Sequence, residues 1–204
     1  MVSRGEALEP SRWPSVPPEA VASRCASGRA AQDRFPSDVR SVLVQAGWFP
    51  GRDVGAAVDQ WLTRVGPDLG NLECSAAARA VLVEFGGLEL PQYGPGGVGF
   101  GGFRSWFYPR PGRMYVDREE GFVEETGIPV FPVASHEDEG SSLVVDPTGR
   151  MLQLHWVGDF LVGTGDEAII NLIRGVPFLE LDDDGNVMGD VRSCEAGGPN
   201  ELPA

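Results

Sequence analysis

Two histidines are the residues of this sequence best suited to acid–base chemistry or metal binding. His136 and His155 are the only histidines in the chain, one in an acidic loop and the other in a strand-like run. Histidines combined with carboxylates can bind zinc or act as general bases, but the spacing here favours neither use. A small hydrolase that uses His136 or His155 therefore stays open as an alternative.

The other candidate chemical motifs are incomplete. The chain contains three cysteines: Cys25, Cys74 and Cys194. Their odd number and wide spacing fit neither a disulfide framework nor a zinc site. Gly97-x-Gly99-x-x-Gly102 has the letters of a dinucleotide fingerprint, yet that fingerprint works between a strand and a helix, and here a proline-rich loop precedes it. The chain has no lysine, which rules out a Walker-type phosphate loop.

A short acidic run near the C-terminal end resembles the beginning of a calcium loop. Glu180, Asp182 and Asp184 precede Gly185. A calcium loop needs a bidentate carboxylate at its twelfth position, where this sequence has Val191. We interpret the run as an exposed turn. No catalytic residue, metal or cofactor is predicted, and the chain is expected not to be an enzyme.

Negative charge is the strongest bulk property of the sequence. Thirty acidic residues face sixteen arginines, which gives a net charge of −14. Such a field repels nucleic acid and anionic membranes and attracts a basic protein. Eight carboxylates are concentrated in one stretch: Asp117, Glu119, Glu120, Glu124, Glu125, Glu137, Asp138 and Glu139. Together with nearby Phe122, Phe131 and Trp156 they could form a partner-binding face, or they could be solvated loop tips; both interpretations stay open.

Length and hydropathy suggest one domain with two tails. The chain has 204 residues, no apolar run near the roughly 20 residues of a membrane span, and no apolar leader segment. We expect a loose arm over 1–34, with a short helix around 20–32, then a domain over 35–176 and a loose acidic tail over 177–204. The expected location is the cytoplasm, and the sequence leaves the oligomeric state undetermined.

Helical periodicity defines the elements that would position these residues. An apolar stripe with spacing i, i+3, i+4, i+7 begins at Val39 and ends before Gly47. A second helix is predicted after Asp53 as its cap. A third begins at Ser75, a good N-cap residue, and ends at Gly86. A capping box at Thr164 predicts a closing helix that stops at Gly175.

Strand-like runs fill the region between the third and the closing helix. The predicted strands are 103–108, 114–117, 130–134, 142–146, 151–156 and 160–162. Asp146-Pro147-Thr148-Gly149 has the residues of a tight turn, which predicts a hairpin between its flanking runs. Strands connected this closely must be antiparallel. The sequence thus predicts an α+β fold with a mostly antiparallel sheet packed on helices.

Several motifs, in this order, resemble the SUKH superfamily, and above all its third group of bacterial immunity proteins. The signature residues are Gly47, Trp48, Pro50, Gly51, Arg52, Trp61, Phe85, Gly86 and Gly87. A hairpin at Leu143-x-x-Asp146 and a closing helix that ends at Gly175 extend the similarity over residues 35–175. The long glycine-rich insertion at 94–102 departs from the family pattern.

The resemblance implies a binding protein without catalytic activity. Members of this group neutralise a cognate toxin, often a nuclease or a nucleobase deaminase, by direct contact. We interpret the signature residues as structural: Trp48 and Phe85 as core, the glycines as caps, and Arg52 as a tie to helix ends or to a carboxylate. The partner is expected to be a basic toxin protein; the alternative is a regulatory module similar to the yeast cell-wall-synthesis regulators of the same superfamily.

Overall fold

The computed structural model describes residues 22–23, 34–93, 104–108, 113–136 and 141–188. These ranges contain the helices α1 Ser37–Gln45, α2 Gly55–Val65, α3 Ala76–Phe85, α4 Arg113–Thr126 and α5 Asp166–Arg174, with a 3₁₀ turn at Gly66–Asp68. They also contain the strands β1 Ala22–Ser23, β2 Arg52–Asp53, β3 Glu89–Pro91, β4 Arg104–Trp106, β5 Phe131–His136, β6 Ser141–Val145, β7 Arg150–His155, β8 Gly158–Thr164 and β9 Leu179–Glu180.

Strands β3 to β9 form one seven-stranded sheet in which each strand is antiparallel to its neighbour in chain order. The predicted α+β class and antiparallel sheet are confirmed. Two connections contain a helix, α4 between β4 and β5 and α5 between β8 and β9. Among the residues that the structure describes, no helix combines the length and the apolar character needed to cross a membrane.

Helices cover both faces of the sheet, so alternate strand residues enter two different cores. Leu143 and Val145 of β6 join the larger core, beneath α1, α2, α3 and α5. Val144 between them joins a smaller core with Phe122 of α4 and Leu152 of β7. Because neither face meets water, β5 and β6 are buried at every residue and read as apolar runs without polar alternation.

The ends of α1 and α3 follow the sequence signals. Gly47 takes a φ of +96° after α1, and the Trp48 N–H donates to the Leu43 carbonyl at 2.8 Å. This arrangement caps the helix and folds Trp48 into the core. Ser75 caps α3, since its Oγ accepts a hydrogen bond from the Ala78 N–H at 3.1 Å.

Two predicted caps are wrong in detail. Val54, not Asp53, is the N-cap of α2, although the Asp53 Oδ1 still accepts the Gly55 N–H at 2.8 Å. The capping box at Thr164 does not form, because β8 continues through Thr164 and leaves one residue for the turn into α5. Gly165 is the N-cap there, with a φ of +56° that glycine adopts without a Cβ clash.

The predicted strand at 114–117 is also wrong, because this segment is the first turn of α4. The buried positions of the helix include Val116, Glu119 and Phe122, which recur at intervals of three residues. A glutamate in the middle of this stripe hides its apolar periodicity. The acidic residues from Asp117 to Glu125 therefore lie on a helix and not on loop tips.

Parts of both predicted tails pair with the domain. Strand β1 pairs antiparallel with β2, at a place where the sequence suggested a helix. At the other end β9 pairs with β8, and Leu181 packs into the smaller core at 7% exposure. The sheet therefore extends past residue 176. The glycine-rich run at 94–102 lies outside the described residues.

Candidate functional site

Helix α4 carries five of the eight carboxylates predicted to bind a partner. Asp117, Glu124 and Glu125 are exposed. Glu120 is half-buried, and its Oε1 accepts the Asn71 N–H at 3.0 Å. The remaining three, at 137–139, lie outside the described residues. The exposed acidic set on this helix is thus smaller than the sequence suggested.

Glu119 is removed from the predicted face, because it points into the protein. Its side chain is 1% exposed, and neither carboxylate oxygen receives a hydrogen bond of good geometry. Burial raises its pKa to about 7, against the smaller lowering effects of the Ser142 hydroxyl and the neighbouring Arg118. A carboxyl group in this position is not part of the exposed surface of α4.

The three aromatic residues predicted near the acidic stretch divide into two classes. Phe122 and Phe131 are buried at 0% and 1% exposure. Trp156 is 79% exposed, since β7 ends at His155 and Trp156 begins the turn into β8. Of the three, Trp156 alone is available to a partner.

Trp156 lies on the wall of an open groove of about 730 Å³. The groove runs between α4, the β7–β8 turn and the segment around β9. Its acidic lining residues are Glu125, Asp159, Glu180, Asp182 and Asp183. Val157 and Met188 add exposed apolar surface at 45% and 49%. The groove therefore combines a concave shape, negative charge and accessible apolar area.

Arg118 is the one arginine among the lining residues, and it is already engaged. Its Nη2 donates to the Asp159 Oδ1. Burial raises the pKa of Asp159, the Arg118 guanidinium opposes that shift, and the nearby charge of Glu125 adds to it. The charge of Arg118 is thus matched by Asp159, and the other groove carboxylates have no cation among the groove's described lining residues.

The predicted calcium-like run forms one wall of this groove as an exposed turn. The Asp182 Oδ1 accepts the N–H groups of Asp184 at 3.1 Å and Asn186 at 2.8 Å. This carboxylate caps its own turn. Within the described ranges, no group of three or more histidine, cysteine, aspartate or glutamate residues could hold a metal ion.

A second cleft, of about 520 Å³, is formed by the segment that carries the sequence motifs. Arg52 is 7% exposed and donates to the carbonyl oxygens of Glu84 at 2.5 Å and Gly86 at 2.7 Å. These carbonyls lie at the C-terminal end of α3, where a helix leaves acceptors without intrahelical partners. The Trp48 Nε1 donates to the Glu84 Oε1 at 3.0 Å.

The model of a known protein family matches residues 35–175, the range that contains these motifs. The chain belongs to the SUKH-3 immunity protein family. No curated protein and no solved structure matches it. The matched range begins with Phe35, just before α1, and ends at Gly175, the C-cap of α5.

The SUKH-3 signature residues contribute to the hydrophobic core and to the turns that end helices. Trp61 and Phe85 are buried at 0% and 3% exposure, and Gly87 takes a φ of +82° as the chain turns from α3 into β3. The Phe35 ring packs edge-on against Trp48 at 5.3 Å between centroids. Trp48, Trp61 and Phe85 are thus buried in the core. Arg52 donates hydrogen bonds to the carbonyl groups at the C-terminal end of α3.

The two histidines are the last residues of β5 and β7, the two strands that flank β6, and both are buried. His136 Nδ1 is 2.9 Å from the Ser105 Oγ, and His155 Nδ1 accepts the Val157 N–H at 3.2 Å. A serine–histidine contact can generate a nucleophile, but Ser105 is 0% exposed, so no substrate reaches its hydroxyl in this conformation. We interpret the contact as a link between β4 and β5.

Sequence reasoning missed the contribution of the β9 segment to the groove. The sequence places Glu180 and Asp183 in a loose tail, and it places Trp156 at the end of the predicted strand 151–156, near the acidic stretch of 117–139. One signal in the sequence indicates that Trp156 is exposed. Val157-Gly158 after it allows a tight turn, and a side chain at a tight turn has few core residues to pack against. The pairing of β9 with β8 depends on contacts distant in sequence.

Proposed function

We propose that this chain is an immunity protein that neutralises a cognate toxin by direct, non-covalent binding through an acidic surface. The observation that carries the proposal is the match to the SUKH-3 immunity protein family over residues 35–175. Binding alone suffices for this task, because immunity complexes are among the tightest protein pairs known. The toxin that we propose is a nuclease or a nucleobase deaminase.

Charge supports this choice of toxin. Enzymes that act on nucleic acid need a basic surface to attract phosphates. A chain with a net charge of −14 presents the opposite field to such a surface. Complementary fields accelerate encounter and suppress wrong partners. On α4 the exposed charges of Asp117, Glu124 and Glu125 contribute to this field.

Co-expression tests the function itself. The toxin to use is the one encoded by the neighbouring gene, placed under an inducible promoter in a host that lacks any immunity protein. We expect growth to be rescued by the wild-type chain and a stable complex to co-purify. Continued growth arrest, with no complex by size-exclusion chromatography, would refute the proposal, and a neighbourhood without a toxin gene would favour the regulatory alternative.

Charge reversal on α4 tests the acidic surface separately. Replacing Asp117, Glu124 and Glu125 by arginine should slow association with the toxin on the order of tenfold at low salt and flatten the salt dependence of the on-rate. The matched control reverses three exposed acidic residues on α2, β3 and α5: Asp59, Glu89 and Glu167. Equal slowing by both triple variants would mean that net charge, and not the surface of α4, governs association.

A further inference from the structure

We propose that the groove between α4, the β7–β8 turn and β9 receives a cationic segment of the toxin, with Trp156 as the central contact. This inference rests on the proposed function and deepens it by naming the surface and the chemistry of the bound segment. It stands on the shape of the groove, on the exposure of Trp156 and on the charges around it.

Exposed apolar area is concentrated around this groove. Of the eight large hydrophobic side chains exposed in the described part of the chain, five belong to the β7–β8 turn or to the β9 segment, and three of these, Trp156, Val157 and Met188, line the groove. Exposed apolar side chains that share one concave site mark interaction surfaces on soluble proteins. Tryptophan in particular is enriched among the residues that dominate binding energy. An indole that is 79% exposed has most of its surface left to bury.

The charges of the groove determine what can bind there. Glu125, Glu180, Asp182 and Asp183 line it, and Arg118 is engaged with Asp159. A cationic partner would be attracted by these exposed carboxylates, since the groove's described lining residues include no further arginine. Arginine fits best, because a guanidinium stacks on an indole face and simultaneously donates hydrogen bonds to carboxylates. A second copy of this chain, an anionic lipid or a nucleic acid would each add negative charge to the same surface.

The groove is pre-formed, which reduces the entropy lost on binding. The Leu181 N–H donates to the Asp159 carbonyl at 2.8 Å, and the Met188 N–H donates to the Glu180 carbonyl at 2.8 Å. These backbone bonds attach the β9 segment to β8 and close its own turn. Walls held by backbone pairing need little rearrangement when a ligand arrives.

The decisive variant is Trp156→Ala in the full chain. We expect the dissociation constant for the toxin of the neighbouring gene to rise on the order of 30-fold or more, chiefly through faster dissociation. The thermal midpoint should stay unchanged, because the side chain is 79% exposed. Tyr93→Ala is the matched control, since Tyr93 is also an exposed aromatic, at 68%, and does not line the groove. It should alter the affinity by less than about twofold.

A probe that does not depend on the toxin separates the two proposals. An oligo-arginine peptide should quench the fluorescence of the wild-type chain and lose that effect in Trp156→Ala, while an oligo-glutamate peptide should do nothing. If wild type and Trp156→Ala bind the toxin equally well, the groove inference is overturned and the proposed function stands. If the wild type does not bind the toxin at all, the proposed function fails, and the inference about a toxin segment fails with it.

Discussion

The two concave regions of this protein are both lined by arginine, carboxylate and tryptophan side chains, but the tryptophan is buried in one region and exposed in the other. The cleft at Arg52 is lined by three arginines, one glutamate and a tryptophan, and the groove at Trp156 is lined by one arginine, five carboxylates and a tryptophan. In the cleft, Arg52 and Trp48 are buried at 7% and 2% exposure, and both donate to acceptors at Glu84. In the groove, Trp156 and most of the carboxylates face solvent.

This contrast assigns different tasks to the two regions. Side chains that satisfy backbone carbonyls at a helix end stabilise the frame, because buried acceptors without donors are costly. Side chains that leave apolar area and charge exposed contribute little to folding and are available for binding. We therefore expect substitutions in the cleft to lower the stability of the fold and to leave the affinity for the toxin unchanged. Substitutions in the groove should lower the affinity and leave the stability unchanged.

Removing Arg52 should give the largest effect. Arg52→Ala leaves the Glu84 and Gly86 carbonyls without their donors. Two hydrogen bonds from a charged group correspond to a loss of about 4 kcal/mol in the free energy of unfolding. Urea denaturation at neutral pH measures it. Arg52→Lys should recover less than half, since an ammonium lacks the planar fork that reaches both oxygens. If the folded fraction of Arg52→Ala binds the toxin more weakly than wild type, the cleft also contributes to binding, and the assignment of separate tasks to cleft and groove is wrong.

Glu119→Gln should change the free energy of unfolding by a comparable amount but in the stabilising direction, and only at a pH where the wild-type carboxyl is ionised. Its pKa is about 7 in the folded chain, above the ordinary value of 4.5, so the folded state holds a proton that the unfolded state releases. Stability should therefore fall as the pH rises from 4.5 to 7, by about 3 kcal/mol, and then level off. Glu119→Gln removes the titration and should be the more stable protein above pH 7.

The comparison of Glu119→Gln with Glu124→Gln isolates burial as the cause. Glu124 lies on the same helix but is exposed, so its substitution should leave the pH profile of wild type intact. Thermal midpoints measured from pH 4.5 to 8 give both profiles. If Glu119→Gln shows the same slope as wild type, the carboxyl group is solvated and α4 does not pack as described.

Asp146 should give the smallest of the three stability effects. Its side chain is 1% exposed, and its Oδ2 accepts the Arg150 Nε–H at 2.7 Å. Burial would raise its pKa, but the Thr148 hydroxyl and Arg150 outweigh burial, and the pKa lies below 3.8. Asp146→Asn keeps the oxygen that caps the turn and loses the ion pair, at a cost of about 2 kcal/mol.

The sign of the pH dependence gives a second check on Asp146. A lowered pKa stabilises the folded state above the unfolded pKa, and that stabilisation is lost as the pH falls through the folded value. Acid unfolding of wild type should therefore converge with that of Asp146→Asn at low pH. A constant difference between the two proteins down to the lowest pH would show that the turn geometry, and not the charge, carries the effect.

Sequence reasoning succeeded where the determinants are local. The stop of α1 at Gly47, the cap of α3 at Ser75 and the turn at Asp146 each depend on residues within a few positions of one another. It failed at α4, where Glu119 interrupts the apolar stripe, because the environment that tolerates this carboxyl is supplied by the sheet. It failed at β9 for the same reason, since two residues form a strand only when β8 offers an edge.

The sequence by itself determined the net charge, the order of the family motifs, most helix ends and the antiparallel hairpin at Asp146. Those properties depend on composition and on short spacings along the chain. Tertiary structure decided which acidic residues face water, that Glu119 is buried while Trp156 is exposed, and that α4 and the β9 segment share a groove. These outcomes require the sheet to assemble, because burial is a property of surfaces brought together from distant parts of the chain.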